Sequence, residues 1–211
     1  MHLDQASEMT LFSSLGKIVP ILTIHHQKVA APLVSALLAG GIKAVEVTLR
    51  TPIALNVITE LRQAFPEMII GAGTVMTPDQ LAQSVNAGAQ FAFSPGHTRR
   101  LLEAGKTAGI LFVPGVASFS ECMDAAEFGY ECFKFFPADS MGESVLKAWY
   151  GPGPRWRFCA TGGLDAANFS RYLQLPNVLC VGGTWMISEE TLAKEDWLTV
   201  TKFCQTALAL T

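Results

Sequence analysis

An α/β fold of the closed parallel type, a (β/α)8 TIM barrel, is the architecture this chain predicts, and three observations predict it. About eight short β-prone apolar runs alternate with helix-length amphipathic segments along the chain. The runs start at intervals of roughly 20 to 26 residues, the length of a compact βα unit. The turn after the first run, Ile24-His25-His26-Gln27, lacks the G-x-G-x-x-G pattern that the competing fold, a doubly wound open sheet, places there. No linker, low-complexity tract or composition break interrupts the alternation, so residues 1–211 read as a single domain.

A short N-terminal helix is expected over 7–15, ahead of the first strand at 18–24. The remaining strands are expected at 44–48, 68–71, 91–94, 111–114, 132–136, 158–161 and 178–182, each ending in or near Gly, Pro or Thr. Helices are expected over 28–39, 52–65, 78–87, 98–108, 118–128 and 165–175. Start signals stand at Pro52 after Thr51, Pro78 after Thr77, Ser118 and Asp165. Stop signals stand at Gly40-Gly41, Gly88, Gly109 and Gly129. A last helical region, 189–210, is open to packing on the barrel or to subunit contact.

Composition narrows the function. Of 211 residues, 50% are hydrophobic and 16% charged, which supports a sizeable core and excludes a disordered chain. A net charge of -3 without a run of like charges argues against nucleic acid, whereas a small anionic substrate needs only local cations or a helix N-terminus. Five cysteines, odd in number and without C-x-x-C spacing, indicate neither a zinc site nor a disulfide framework. Cys132, Cys159 and Cys180 read as small buried hydrophobes. Met1-His2-Leu3-Asp4-Gln5 lacks signal-peptide character and no stretch is apolar enough to span a bilayer, so the expectation is a cytoplasmic protein without a membrane partner.

In a barrel the chemistry lies at the C-terminal strand ends. In Glu131-Cys132-Phe133-Lys134-Phe135-Phe136-Pro137-Ala138, alternation sends Phe133 and Phe135 one way and Lys134 and Phe136 the other. If both faces are covered, Lys134 sits in a water-poor setting; burial disfavours an ammonium and leaves free amine able to attack a carbonyl. The plainer alternative is an edge-strand lysine reaching to water. In Ala44-Val45-Glu46-Val47-Thr48-Leu49-Arg50-Thr51-Pro52, alternation puts Val45, Val47 and Leu49 against the helices and Glu46, Thr48 and Arg50 toward the axis. Glu46 alone is read equally well as half of a structural ion pair. Beside Lys134 it is a carboxyl placed to shuttle protons for imine chemistry, and Arg50 offers two-point grip on a carboxylate.

The third strand runs into Gly71-Ala72-Gly73-Thr74-Val75, where the glycines would admit a ligand close to the backbone and the Thr74 hydroxyl would bond a substrate oxygen; a simple tight turn is the alternative. Ser94-Pro95-Gly96 and Pro114-Gly115-Val116 read as fixed turns lining the mouth. His97 reads as an exposed loop histidine, and with His25 and His26 it makes no metal-ligand spacing. Ala160-Thr161-Gly162-Gly163, with Asp165 opening a helix, and Val181-Gly182-Gly183-Thr184 place two Gly-Gly turns after strands seven and eight, where barrels commonly hold phosphate.

Taken together, Val45-Glu46-Val47-Thr48-Leu49-Arg50-Thr51, Gly71-Ala72-Gly73-Thr74-Val75, Ser94-Pro95-Gly96, Phe133-Lys134-Phe135-Phe136-Pro137-Ala138, Thr161-Gly162-Gly163 and Val181-Gly182-Gly183 resemble the 2-keto-3-deoxy-6-phosphogluconate (KDPG) and 4-hydroxy-2-oxoglutarate (KHG) aldolase family, over about residues 18–186. The resemblance implies a class I aldolase barrel working through a Schiff base without metal or other cofactor, usually a homotrimer, acting on a 2-keto acid phosphate and releasing pyruvate. It implies Lys134 as the Schiff-base lysine, Glu46 as general acid/base, and Arg50 and Thr74 as holders of the pyruvyl carboxylate. Gly162, Gly163, Gly183 and Thr184 match the phosphate-binding turns, and Pro95, Phe136 and Thr161 complete the substrate-binding set. Two departures stand out: Ala160 where the family usually has proline, which loosens the turn, and Thr184 where many members have serine. Three rivals stay open: the galactonate-derived epimer as substrate, a metal-dependent pyruvate aldolase, and a phosphate-binding barrel or isomerase in which Lys134 and Glu46 form only an ion pair.

Overall fold

The computed structural model describes residues 4–211; of the N-terminal stretch read above, residues 1–3 lie outside the described residues. Nine strands form one parallel sheet: β1 Ile18–Leu22, β2 Ala44–Thr48, β3 Ile69–Gly73, β4 Phe91–Phe93, β5 Leu111–Val113, β6 Gly115–Val116, β7 Cys132–Phe135, β8 Arg157–Thr161 and β9 Val178–Gly183. The predicted turn at Pro114-Gly115-Val116 is instead the continuation of a strand. Proline has no N–H for the ladder, so the stave breaks there into β5, paired with β4, and β6, paired with β7. The Pro114 carbonyl still accepts the Lys134 N–H at 2.9 Å. The sheet edges β5 and β6 are therefore consecutive pieces of one stave, and the (β/α)8 barrel closes.

Helices alternate with the strands: α1 Gln5–Ser14, α2 Ala30–Ala39, α3 Ala54–Ala64, α4 Pro78–Asn86, α5 Arg99–Thr107, α6 Phe119–Glu127, α7 Ala138–Met141, α8 Glu143–Trp149, α9 Phe169–Leu173, α10 Glu189–Ala193 and α11 Trp197–Leu208. Thr77, Thr98 and Ser118 accept from backbone N–H groups three residues on, and Glu121 completes a capping box with Ser118. Two of the predicted starts are displaced. Pro52 lies in the turn before α3, and Asp165 spends its carboxylate on the N–H groups of Ala167 and Asn168, a local turn that delays α9 to Phe169. The short pair α7 and α8, divided by Gly142 at φ 84°, was not foreseen.

Pleating sorts the strand side chains into two layers. Val45, Val47, Phe133 and Phe135 face the helices, while Val19, Ala44, Phe91, Phe93, Leu111, Val113, Cys132, Cys159 and Cys180 fill the lower barrel. Helix α1 closes the floor: Phe12 and Leu15 join this inner cluster, and the Phe12 ring meets Phe93 edge-on at 6.5 Å. A Glu8–Lys106 pair at 2.6 Å ties α1 to α5. Helix α11 packs on α2, where Thr201 bonds the Ala36 carbonyl at 3.0 Å and Gly40 leaves room for Cys204. All five cysteines are free and buried. Among the described residues, no helix is long and apolar enough to cross a membrane.

Candidate active site

Above the apolar floor the barrel interior becomes polar. Lys134 on β7 points inward in line with Cys132, and its Nζ lies 3.0 and 3.1 Å from the two carboxylate oxygens of Glu46 on β2. Only 5% of Lys134 and 1% of Glu46 is exposed, so the pair is shielded from solvent screening. The Phe93 ring centroid lies 5.3 Å from Nζ and gives the amine a π face in place of water. One strand position above Glu46 on the same face, Thr48 donates to the Leu22 carbonyl at 3.2 Å and shares a 2.9 Å hydrogen bond with Thr23.

The pair forms the base of a cavity of about 370 Å³ at the C-terminal mouth. All eleven nominated residues line it: Lys134 and Glu46 below, Arg50, Thr74, Pro95 and Phe136 on one part of the wall, and Thr161, Gly162, Gly163, Gly183 and Thr184 on the rest. Arg50 is exposed and pairs with no acid among the described residues. Thr74 holds φ 59°, the left-handed region that costs a β-branched residue energy. The turn after β8 is glycine-dependent: Gly162 and Gly163 have φ of 100° and 75°, and a Cβ on Gly163 would come within 2.6 Å of Asp139 Cβ. The N–H groups of Gly163, Leu164 and Thr184 have no protein acceptor among the described residues. Backbone donors left open in this way form a receptor for an anion.

Several side chains serve differently from the expectation. The glycines of β3 make room for protein rather than ligand: a Cβ on Gly71 would strike the Phe91 ring and one on Gly73 the Glu46 carboxylate. Gly183 lines the cavity and also clears the Trp185 ring, which stacks on Phe169 at 5.3 Å. His97 is half-buried, its Nδ1 2.8 Å from the Gly115 carbonyl, and pins the β4 loop to β6.

The model of the family described as KDPG and KHG aldolase matches residues 11–203. The chain belongs to this family. Among its aldolase relatives, the 2-dehydro-3-deoxy-phosphogluconate aldolase of Pseudoalteromonas atlantica is 47% identical over 206 residues, 97% of this chain and 95% of that protein. The KHG/KDPG aldolase of Escherichia coli is 43% identical over 92% of this chain and 91% of its own length. A solved Legionella pneumophila KDPG aldolase, with pyruvate captured at low pH as a covalent carbinolamine intermediate, superposes with a TM-score of 0.90 at 46% identity, covering 92% of this chain and 95% of that one.

Sequence reasoning missed two wall residues of the aldolase cavity, Ile21 and Leu164. Ile21 was within reach, since alternation along β1 puts it on the face of Val19. Leu164 has no such signal, because its direction depends on the two left-handed glycines before it.

Proposed function

We propose that this aldolase cleaves 2-keto-3-deoxy-6-phosphogluconate to pyruvate and glyceraldehyde 3-phosphate, and 4-hydroxy-2-oxoglutarate to pyruvate and glyoxylate, with Lys134 as nucleophile and Glu46 as proton carrier. The observation that carries the reading is the solvent-shielded contact of 3.0 Å between Nζ and Glu46 at the base of a mouth cavity. Passing one proton from Nζ to the carboxylate turns an ion pair into a free amine and a neutral acid, without bringing charge into or out of the site.

The amine attacks the C2 ketone, and Glu46 protonates the carbinolamine oxygen so that water departs and an iminium forms. The cationic nitrogen withdraws electrons from C3. Glu46 then takes the C4 hydroxyl proton, the C3–C4 bond breaks toward the iminium, and the aldehyde leaves. The resulting enamine takes a proton from Glu46 at C3, and water releases pyruvate and restores the amine. Arg50 and Thr74 hold the pyruvyl carboxylate, Pro95 and Phe136 shape the wall over the reacting carbons, and Thr161, Gly162, Gly163, Gly183 and Thr184 receive the phosphate.

The names borne by relatives at 43 to 47% identity support the gluconate-derived substrate. The chain works as one aldolase domain and assembles as a homotrimer; Met123 on α6 and Leu198 and Phe203 on α11 are exposed apolar side chains available for such contacts. Five unpaired cysteines support a reducing, cytoplasmic setting. Borohydride added with pyruvate, followed by peptide mapping, is expected to fix pyruvate's mass on Lys134. Equal labelling of Lys134→Ala would overturn the assignment.

A further inference from the structure

We propose that Asn168 is the positioning residue that shapes the Gly162-Gly163 turn into an anion receptor, acting together with Asp139; this rests on reading that turn as the phosphate site. In a trans peptide unit the C=O and the following N–H point in opposite directions. Holding a carbonyl therefore aims the next N–H. The Gly162 carbonyl accepts the Asp139 N–H at 2.9 Å, which sets the direction of the Gly163 N–H. The Gly163 carbonyl accepts Asn168 Nδ2 at 3.2 Å, which sets the Leu164 N–H.

Both Nδ2 hydrogens and the Oδ1 of Asn168 are engaged. Its Nδ2 also donates to Asp139 Oδ1 at 3.2 Å, its Oδ1 accepts the Asp165 N–H at 2.8 Å, and only 9% of the residue is exposed. Asp165 in turn accepts the Asn168 N–H at 3.0 Å. The two glycines at φ 100° and 75° would otherwise be free to rotate their peptide planes, because glycine meets no Cβ barrier. A rotated plane turns a carbonyl toward the anion where an N–H is needed. Asn168 thus acts on substrate through the backbone, and its effect falls on phosphate-bearing substrates alone. In 4-hydroxy-2-oxoglutarate the chain ends one carbon beyond the reacting C4 and stops short of the turn.

The test compares KM and kcat of Asn168→Ala and Asn168→Asp on both substrates. Both variants are expected to raise KM for 2-keto-3-deoxy-6-phosphogluconate about tenfold or more, the effect of losing one buried hydrogen-bonded anchor. The kcat for that substrate, and both constants for 4-hydroxy-2-oxoglutarate, are expected to stay within about twofold on the same grounds. Competitive inhibition by inorganic phosphate weakens in parallel. Asp139→Ala raises the same KM, and Asp139→Asn, which keeps the Oδ1 acceptor, restores it. Unchanged kinetics in both Asn168 variants, or equal losses on the two substrates, would overturn the proposal while leaving the turn as the phosphate site. A parent enzyme with neither inhibition by phosphate nor preference for the phosphorylated substrate would overturn the reading of the turn itself.

Discussion

Gly73 on β3 and Glu46 on β2 exclude one another's atoms: a Cβ on Gly73 would overlap the Glu46 carboxylate. The position of the carboxylate is thus set by a missing methyl group on the neighbouring strand. Gly73→Ala is expected to drive Glu46 off Lys134 and lower kcat by roughly a hundred- to ten-thousand-fold, the range for lost proton-transfer catalysis. Glu46→Gln falls in the same range, and steady-state rates of the two variants measured side by side check the equivalence.

Lys134→Ala is expected to abolish turnover and pyruvate trapping. It also leaves a carboxylate buried without its partner, which costs about 3–5 kcal/mol. The double variant Lys134→Met with Glu46→Leu removes both charges and recovers most of that loss, as read from urea unfolding midpoints. A double variant no more stable than the single one would contradict a buried charge pair.

Thr184→Val keeps the shape of the side chain but loses the hydroxyl at the edge of the cavity. A hydrogen bond to a charged group contributes about 1.5–3 kcal/mol, so KM for the phosphorylated substrate is expected to rise by at least tenfold. KM for 4-hydroxy-2-oxoglutarate, measured in parallel, stays where it was.

Phe12→Ala opens a cavity in the barrel floor, because the ring is fully buried against Phe93. The expected loss is about 3–5 kcal/mol. Thermal unfolding checks it.

The thiols impose a pH limit. Burial pushes Cys132 up to about 12 and Cys204 up to about 11, from an ordinary value of 9.0. A hydrogen bond with Cys159, and then burial, holds Cys180 well above the same value. Once unfolded, the chain ionises these thiols above pH 9.0 while the folded form keeps its protons, so the unfolded state binds fewer. Stability is therefore full below pH 9.0 and falls as pH rises toward 11 and 12. Unfolding midpoints at pH 8 and at pH 10 check the sign. A thiol reagent at pH 8 is expected to label the cysteines only after unfolding.

Much of this was legible in the chain because strand alternation is a rigid rule. Glu46 and Lys134 lie 88 positions apart, yet each was assigned to the barrel axis from its own strand, and the axis brings them together. The strand-end residues converge on one cavity for the same reason. What escaped depends on contacts between strands distant in sequence. Gly71 and Gly73 looked like ligand-facing glycines because nothing local shows that Phe91 and Glu46 lie against them. Pro114 looked like a terminator, since the partner that pairs beyond it, β7, begins at Cys132. Asp165 looked like a helix cap because its choice of a tighter turn is made with Asn168 and the Gly163 carbonyl, not by Asp165 alone.

Phe12 and Leu15 stopper the barrel floor, and the amine faces the mouth cavity at the opposite end. On the proposed reading, the aldehyde half leaves first toward the mouth, and the three-carbon fragment bound to Lys134 follows it. A barrel closed below and open above would then be a vessel filled and emptied from the top.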